Sequence, residues 1–216
     1  MEYETAPKSS IDNFIKDVKL GMIVSENEES KDGWAEIRSP SPFVKMERRV
    51  SKKSDSSTGV ARATVTIDAS PADVISWHFN YASRERVELS QVEGNPARII
   101  VERTAMNDHI YATIKGFPFP LSNREFVMRQ VWRVESRDVV SLYCKSVPLE
   151  VDYGGGRVKE GITRATTRFV LRAERIDSRG TVPQCCATLT QYIDPRGLIP
   201  KVLVNSKVSR GIEVQR

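Results

Sequence analysis

Few residues in this sequence have the types and spacing that catalysis requires. The two histidines, His78 and His109, have no nucleophile in a recognisable motif near them in the sequence. The three cysteines, Cys144, Cys185 and Cys186, are odd in number and show no Cys-x-x-Cys spacing. They therefore indicate neither a disulfide framework nor a metal site. We expect no catalytic residue, no metal and no cofactor, and hence no enzyme.

A run of three glycines, residues 154–156, resembles a phosphate-binding loop only in composition. Such a loop ends in Gly-Lys-(Ser/Thr) and joins a strand to a helix, and the sequence offers neither feature here. The run is more typical of a flexible hairpin connection.

An apolar loop, residues 116–122, is the first feature that indicates binding. Its prolines keep it extended and outside a sheet ladder. Its apolar side chains are Phe117, Phe119 and Leu121. Because loops normally lie at the surface, these apolar side chains predict a lid or a membrane contact. Packing of the same side chains back onto the core is the alternative. We expect Arg124, which follows the loop, to hold it in place; orienting a ligand head group is its alternative role.

The strand predicted after this loop has one face suited to an apolar ligand. With a period of two, one face carries Phe126, Met128, Gln130 and Trp132. We expect this face to line a cavity, with Gln130 anchoring a head group or a water molecule; a satisfied polar group at a sheet edge is the alternative. We expect Arg129 and Arg133, on the other face, to reach solvent, because an unpaired buried guanidinium group costs several kcal/mol.

Two helices are predicted in the first half of the chain. Residues 10–20 carry Ile11, Phe14, Ile15 and Val18 at helical spacing, with Gly21 as a plausible end. A second helix begins at Ser70-Pro71, a favourable cap and first residue, and continues to about Tyr81.

Strand patterns dominate the remainder. Three strands are predicted at 34–37, 44–50 and 60–67, and six at 98–104, 109–115, 125–135, 139–147, 163–175 and 184–192. A last helix begins at Pro200 and carries one apolar stripe of Val204, Val208 and Ile212. Runs of strands with helices at the ends predict an α+β fold, in which a curved antiparallel sheet and a long helix enclose interior volume.

Composition limits the classes of protein to which the chain can belong. It has 216 residues, 39% of them hydrophobic, and a formal net charge of +5. The charges are mixed along the chain, so we expect no nucleic-acid partner. The N-terminus is polar, and no apolar run approaches the roughly 18 residues of a membrane span. We expect a soluble, reduced, cytoplasmic protein whose slight positive charge suits transient contact with anionic membranes.

Two stretches, residues 118–127 (Pro-Phe-Pro-Leu-Ser-Asn-Arg-Glu-Phe-Val) and residues 189–205, resemble the START family of lipid-transfer domains, which are related to the steroidogenic acute regulatory protein. Members of that family have a loop ending in Ser-x-Arg-Asp-Phe-Val. Later they have a strand ending in Asp-x-x-Gly-x-(Ile/Leu)-Pro, which leads into the final helix. The helix start at Ser70-Pro71 also matches. The resemblance extends from about Trp34 to the C-terminus.

The resemblance implies a helix-grip fold, in which the antiparallel sheet wraps around the long C-terminal helix and leaves an internal cavity. It divides the chain into an N-terminal helix with a polar linker, residues 1–30, and a START-like domain, residues 31–216. The expected ligand contacts are Tyr111, Thr113, Phe126, Met128, Gln130, Trp132, Phe169, Val204, Val208 and Ile212. The expected gate consists of Phe117, Phe119, Leu121 and Arg124.

The sequence departs from the family at several positions. Glu125 replaces the usual Asp. Residues 83–86 (Ser-Arg-Glu-Arg) stand where the family often has Trp-Asp. Tyr111 and Gln130 fall where cholesterol-binding members bury a carboxylate and an arginine, so we do not expect a sterol held by an ion pair. The last helix stops early, at Arg216, and we expect the chain to be a fragment of a longer protein.

The sequence therefore predicts a monomer that binds a hydrophobic ligand, a lipid, in an internal cavity. Intermembrane transfer or lipid sensing, through transient contact with a membrane surface, are its possible uses. Two alternatives remain open. One is a helix-grip enzyme acting on an apolar substrate, and the other is a regulatory protein-interaction module with a vestigial cavity.

Overall fold

The computed structural model describes residues 7–27, 33–50, 59–154, 161–177 and 180–196. Over these residues the chain forms three α-helices and one ten-stranded sheet, which makes it an α+β protein. The helices are α1 (Lys8–Asn27), α2 (Pro71–Phe79) and α3 (Arg84–Val92). The strands are β1 (Ala35–Ile37), β2 (Val44–Val50), β3 (Gly59–Ile67), β4 (Ala97–Ala105), β5 (Asp108–Lys115), β6 (Arg124–Ser136), β7 (Val139–Ser146), β8 (Thr163–Arg164), β9 (Thr166–Ile176) and β10 (Gln184–Asp194).

The order of strands across the sheet is β1-β2-β3-β10-β9-β7-β6-β5-β4, and the paired neighbours are antiparallel. The two-residue β8 stands outside this order and pairs in parallel with the start of β6. The antiparallel register places the end of β10 at the same end of the sheet as the loop between β5 and β6. Asp194 pairs with Thr166 at the start of β9, which adjoins the end of β7 and the start of β6. This topology places the predicted gate loop next to the point where the chain leaves the sheet.

Local sequence explains where α2 begins. Ser70 caps the helix, with its hydroxyl accepting the backbone N–H of Asp73 at 3.2 Å, while the Asp73 carboxylate accepts the backbone N–H of Ser70 at 3.3 Å. Pro71 occupies the first turn, where its missing N–H costs nothing. This reciprocal cap fixes the start of the helix directly after β3.

One expectation about the helices is wrong, and one helix was not predicted. Gly21 does not end α1, which continues to Asn27; a side chain on Gly21 would collide with the guanidinium group of Arg168. The helix α3 was not predicted, because its residues are mostly polar and its only fully buried residue is Ser90. Such a helix has almost no apolar periodicity from which it could be recognised.

The sheet has two differently covered faces. We call the face against which α2 packs the inner face. Val74, Ile75 and Phe79 of α2 contact one cluster there, whose buried sheet residues are Tyr111, Met128, Leu142, Cys144, Phe169, Leu171, Ala173, Cys185 and Ala187. On the opposite, outer face, α1 packs its apolar side chains against Val131 and Tyr143. The predicted stripe on α1 is thus confirmed.

The predicted C-terminal helix, with Val204, Val208 and Ile212, lies outside the described residues, as does most of the glycine run at 154–156. Among the helices that the structure describes, none is both long enough and apolar enough to cross a bilayer.

Candidate ligand-binding site

The inner face of β6 carries the predicted row of apolar side chains. Phe126, Met128 and Trp132 belong to the cluster around α2, whereas Val127 and Val131 pack on the outer face. The alternation predicted for this strand is therefore confirmed. The strand is long enough, from Arg124 to Ser136, to extend this apolar wall along the sheet.

Neighbouring strands extend the row sideways. In the antiparallel register Thr113 lies opposite Phe126, and Tyr111 lies opposite Met128, so both residues of β5 are also on the inner face. Thr113 is buried, and its hydroxyl donates to the carbonyl of Ala97 at 3.0 Å. Phe169 on β9 is buried in the same cluster. The structure thus brings together every expected ligand contact that falls within the described residues.

A buried polar chain crosses this apolar face. A ring nitrogen of His109, Nε2, lies 3.1 Å from Oε1 of Gln130, and Nε2 of Gln130 donates to the Tyr111 hydroxyl at 3.5 Å. The Tyr111 hydroxyl in turn contacts Sδ of Met128 at 3.3 Å. The His109 ring stacks on Phe79 with 4.1 Å between ring centroids. Gln130 therefore has protein partners, yet the chain has an unfilled end, since His109 Nδ1 is buried without a hydrogen-bond partner.

Burial keeps the two ionisable groups of this hydrogen-bond chain, His109 and Tyr111, neutral at pH 7. It lowers the pKa of His109 to about 4, and the charge of Arg103 acts in the same direction. Burial also raises the pKa of Tyr111 well above its ordinary value. General acids and bases work best with a pKa near the working pH. Neither group meets that condition, so His109 and Tyr111 are better suited to forming hydrogen bonds than to exchanging protons.

Arg129 and Arg133 lie on the outer face, as expected, but they do not simply reach solvent. Arg129 forms an ion pair with Asp108, which is fully buried, and its guanidinium carbon lies 4.7 Å from the ring centroid of Phe14 on α1. Arg133 bridges Asp12 on α1 and Glu135 at 2.8 and 3.1 Å. Both arginines form ion pairs because α1 covers this part of the sheet and acidic residues accompany them there.

The residues of the predicted gate differ in exposure. Phe119 is 97% exposed, whereas Phe117 and Leu121 are half-buried. The Phe117 ring lies 5.5 Å from the guanidinium carbon of Arg124. Phe119 therefore has the exposed position that the lid hypothesis requires, whereas Phe117 packs onto the protein.

Arg124 joins the loop to the end of β10. It is buried and donates hydrogen bonds to the carbonyls of Pro195 at 2.7 Å and Arg196 at 3.1 Å, and also to the carbonyl of Ser122. The adjacent Glu125 pairs with Arg164 at 2.7 Å and accepts the Tyr153 hydroxyl at 2.8 Å. These contacts agree with a role in holding the loop rather than in contacting a head group.

The sequence interpretation missed a cationic cluster beside this wall. Arg98 on β4 stacks over Tyr81 at 3.8 Å, and Arg86 on α3 stacks over Trp77 at 4.1 Å. Tyr81 in turn stacks on Tyr111, with 3.8 Å between ring centroids. A signal existed for Arg98, which lies two residues before Ile100 on a predicted strand and therefore shares its face. None existed for Arg86, because its helix was not recognised.

The described residues contain no group of three or more histidine, cysteine or acidic side chains that could hold a metal ion. The thiol of Cys144 is fully buried beside Tyr111, and burial raises its pKa, so it lacks the thiolate character of a nucleophile.

Comparison of the sequence with family models and with curated proteins finds no match. Comparison of the structure finds similar solved proteins. Human StAR-related lipid transfer protein 5 matches with a TM-score of 0.65 and 15% identity over 95% of this chain and 92% of that chain. The human StarD13 lipid transfer and protein localization domain matches with a TM-score of 0.59 and 16% identity over 88% and 87% of the two chains. A STAR-related lipid transfer protein from Xanthomonas axonopodis matches with a TM-score of 0.59 and 18% identity over 83% and 92%. The chain therefore has the START-domain, or helix-grip, fold.

Proposed function

We propose that this chain, which has the START-domain fold, binds a lipid or similar hydrophobic molecule against the inner face of its sheet. The observation that carries the proposal is the row of Phe126, Met128 and Trp132 beside a buried polar chain with an unfilled end at His109 Nδ1. Ligand sites in proteins are largely apolar and contain a few placed polar groups, which is the arrangement on this face. The structural neighbours that are named as lipid transfer proteins support the proposal.

The proposed activity is binding of the ligand without catalysis of a reaction. The neutral states of His109 and Tyr111 at pH 7 support this, because neither group is poised to transfer a proton. We further propose that the protein is a cytoplasmic monomer that contacts membranes transiently and needs no cofactor. Residues 116–122 would make this contact, and transfer or sensing of the lipid would follow from loading and unloading there.

A matched pair of variants on β6 tests the proposed site. Phe126→Gln places an amide in the apolar wall, and Val134→Gln makes the same class of change on the same strand, where the side chain is 58% exposed. After incubation with vesicles and separation from them, lipid bound to each protein is extracted and quantified. We expect Phe126→Gln to lower the bound lipid by about tenfold, since burying an amide without a partner costs about 1–3 kcal/mol.

The Val134→Gln protein should carry as much lipid as the unmodified chain. Thermal unfolding of both variants shows whether they remain folded. Equal lipid loading of folded Phe126→Gln and of the unmodified chain would exclude the inner face of β6 as the binding surface.

A further inference from the structure

Two arginines share one aromatic platform at the edge of the inner face. The guanidinium carbon of Arg98 lies 3.8 Å from the ring centroid of Tyr81, and that of Arg86 lies 5.3 Å from the same centroid. Among the described residues, no carboxylate forms an ion pair with either arginine. Arg129 and Arg164, by contrast, pair with the carboxylates of Asp108 and Glu125.

Backbone carbonyls account for only part of this arrangement. Arg86 donates to the carbonyls of Trp77 at 2.7 Å and His78 at 3.1 Å, and Arg98 donates to the carbonyl of Tyr81 at 2.6 Å. These bonds hold both side chains at the C-terminal end of α2, where the helix dipole favours positive charge. They leave donors unused, and one of them, Nη2 of Arg98, is buried with no hydrogen-bond partner.

The electrostatics of the pair are unfavourable without an anion. Burial lowers the pKa of Arg86 to about 10, and the charge of Arg98 acts in the same direction. The same two charges, after burial, help to lower the pKa of His78 to about 3, so this neighbouring ring is neutral at pH 7. Half-buried cations that repel one another are normally compensated by a counter-charge. The described residues near the pair do not supply one.

The pair borders the proposed ligand site. Arg98 lies opposite Thr113 on β5, which lies opposite Phe126 on β6, so all three side chains form one row across the inner face. In the next row, Ile100 lies opposite Tyr111, and Tyr111 stacks on the Tyr81 ring that both arginines share. A ligand lying on Phe126 and Met128 would thus have one end within the reach of two guanidinium groups.

We propose that Arg86 and Arg98 together bind a phosphate group, and that the ligand of the inner face is a phosphate-bearing lipid. This inference rests on the proposed lipid-binding function. Guanidinium groups form paired hydrogen bonds with phosphate oxygens, and a phosphate offers enough acceptors for the free donors of both side chains. Such a group would satisfy Arg98 Nη2 and neutralise the repulsion between the two cations.

The experiment compares two lipids that differ only in the phosphate group. The full chain is incubated with vesicles of digalactosyl-diacylglycerol, which contain no phosphate, carrying a minor fraction of either phosphatidic acid or diacylglycerol with identical acyl chains. Protein is then separated from the vesicles, and each bound lipid is quantified by mass spectrometry. We expect the chain to load phosphatidic acid about tenfold more than diacylglycerol, the effect of one or more charged hydrogen bonds.

Variants assign the effect to the pair. Arg86→Gln and Arg98→Gln should each lower phosphatidic acid loading by about tenfold and leave diacylglycerol loading unchanged. Arg84→Gln is the matched control: it lies on the same helix and removes the same charge, but its side chain is 93% exposed and paired with Glu88. Arg98→Lys keeps the positive charge, so it should retain more phosphatidic acid than Arg98→Gln. It also replaces Arg98→Gln in the comparison if that variant is poorly folded.

Inorganic phosphate distinguishes a lipid phosphate from a free one. A rise in melting temperature with phosphate that disappears in Arg86→Gln and Arg98→Gln, without loading of phosphatidic acid, would support the phosphate site but reject the lipid as its source. Equal loading of the two lipids, or phosphatidic acid loading unchanged in both variants, would overturn the inference and leave lipid binding intact. Loading of neither lipid would overturn the proposed function itself. If, in addition, inorganic phosphate did not raise the melting temperature, the phosphate site would be overturned as well.

Discussion

Arg124 is the residue at which the loop, the strand β6 and the exit from β10 meet. Its guanidinium group donates to three backbone carbonyls, two of which lie more than 70 positions along the chain, at Pro195 and Arg196. Because these are charged hydrogen bonds in a buried place, each contributes more than a neutral one. Arg124 thus couples the position of residues 116–122 to the segment that follows the sheet.

Removing this side chain should destabilise the protein. We expect Arg124→Ala to lower the free energy of unfolding by about 2–3 kcal/mol, because buried carbonyls lose charged donors. Urea denaturation monitored by circular dichroism measures the change. Arg84→Ala, on the exposed surface of α3, should stay within about 0.5 kcal/mol of the unmodified chain. A similarly small effect of Arg124→Ala would mean that water replaces the arginine without loss.

The two histidines should make stability depend on pH. The pKa of His109 is about 4 in the folded protein and near 6.5 in an unfolded chain, so the unfolded state binds the proton more readily. The contribution of His109 is therefore complete above pH 6.5 and decreases as the pH falls from 6.5 toward 4. His78, whose pKa burial lowers to about 3, acts in the same direction.

Between pH 6.5 and pH 5, His109 alone should account for a loss of about 1.5 kcal/mol in the free energy of unfolding. Carboxylates contribute mainly below that range, since their ordinary pKa values are near 4. Urea unfolding at the two pH values, in the unmodified chain and in His109→Gln, isolates the effect. The variant should lose about 1.5 kcal/mol less than the unmodified chain; identical losses would show that His109 is not buried in its neutral form.

Single residues were predictable from the sequence where local alternation decides their position. Phe126 and Met128 lie on the expected face because each strand has a period of two. The partner of Arg129 was not predictable, because Asp108 comes from the neighbouring strand and only the register brings the two together. The same reason hid the stacking of Arg98, Tyr81 and Tyr111, which joins three separate segments.

At the scale of the elements, the loop 116–122 presents one exposed apolar side chain to its surroundings. Phe119 is 97% exposed, while Phe117 lies against Arg124. Burying one phenylalanine in a membrane interface contributes about 1.5–3 kcal/mol. Phe119→Ser should therefore slow lipid transfer between vesicles by at least about tenfold. Binding of a lipid presented in soluble form should be unchanged.

Phe43→Ser provides the control for this change. Phe43 is 70% exposed but precedes β2 at the opposite end of the sheet, since Val44 pairs with Val65 while the loop adjoins Lys115 and Arg124. Vesicle transfer by Phe43→Ser should match that of the unmodified chain. If the two variants behave alike, the loop is not the membrane-contacting element.

The strands were more predictable than the helices. Each predicted strand corresponds to an observed one, because β-branched and aromatic residues alternate along them; only the long segment 163–175 is divided, into β8 and β9. The helix α3 escaped prediction because tertiary contacts with β4, rather than an apolar stripe, hold its polar sequence in place. The insertion of β10 between β3 and β9 is a non-local pairing that no local pattern specifies.

At the scale of the whole molecule, the outer and inner faces of the sheet differ in what covers them and in the role that we assign to each. The outer face serves stability: α1 and the segment 147–153 cover it with apolar contacts and paired charges. The inner face combines an apolar wall with two of the buried polar atoms that lack a hydrogen-bond partner among the described residues, His109 Nδ1 and Arg98 Nη2. Unpartnered polar groups are costly in a structural core. Both lie on the side where we propose that the ligand binds.

The sequence predicted the α+β architecture because the order of strands and helices is distinctive, and the two START-like stretches narrowed it to the helix-grip fold. Solved structures of that fold match the chain over most of its length. The chemistry of the ligand was less predictable, since it depends on side chains such as Arg86 and Arg98 that meet only in the folded protein.

Native mass spectrometry tests the central proposal most directly. The purified chain is incubated with vesicles made from a total lipid extract, separated from them, and measured intact and after denaturation. We expect a mass shift equal to one lipid per chain that disappears on unfolding, and that Phe126→Gln reduces while Val134→Gln does not. A chain that remains at its bare mass after exposure to the vesicles, or that carries lipid equally in both variants, would contradict the account.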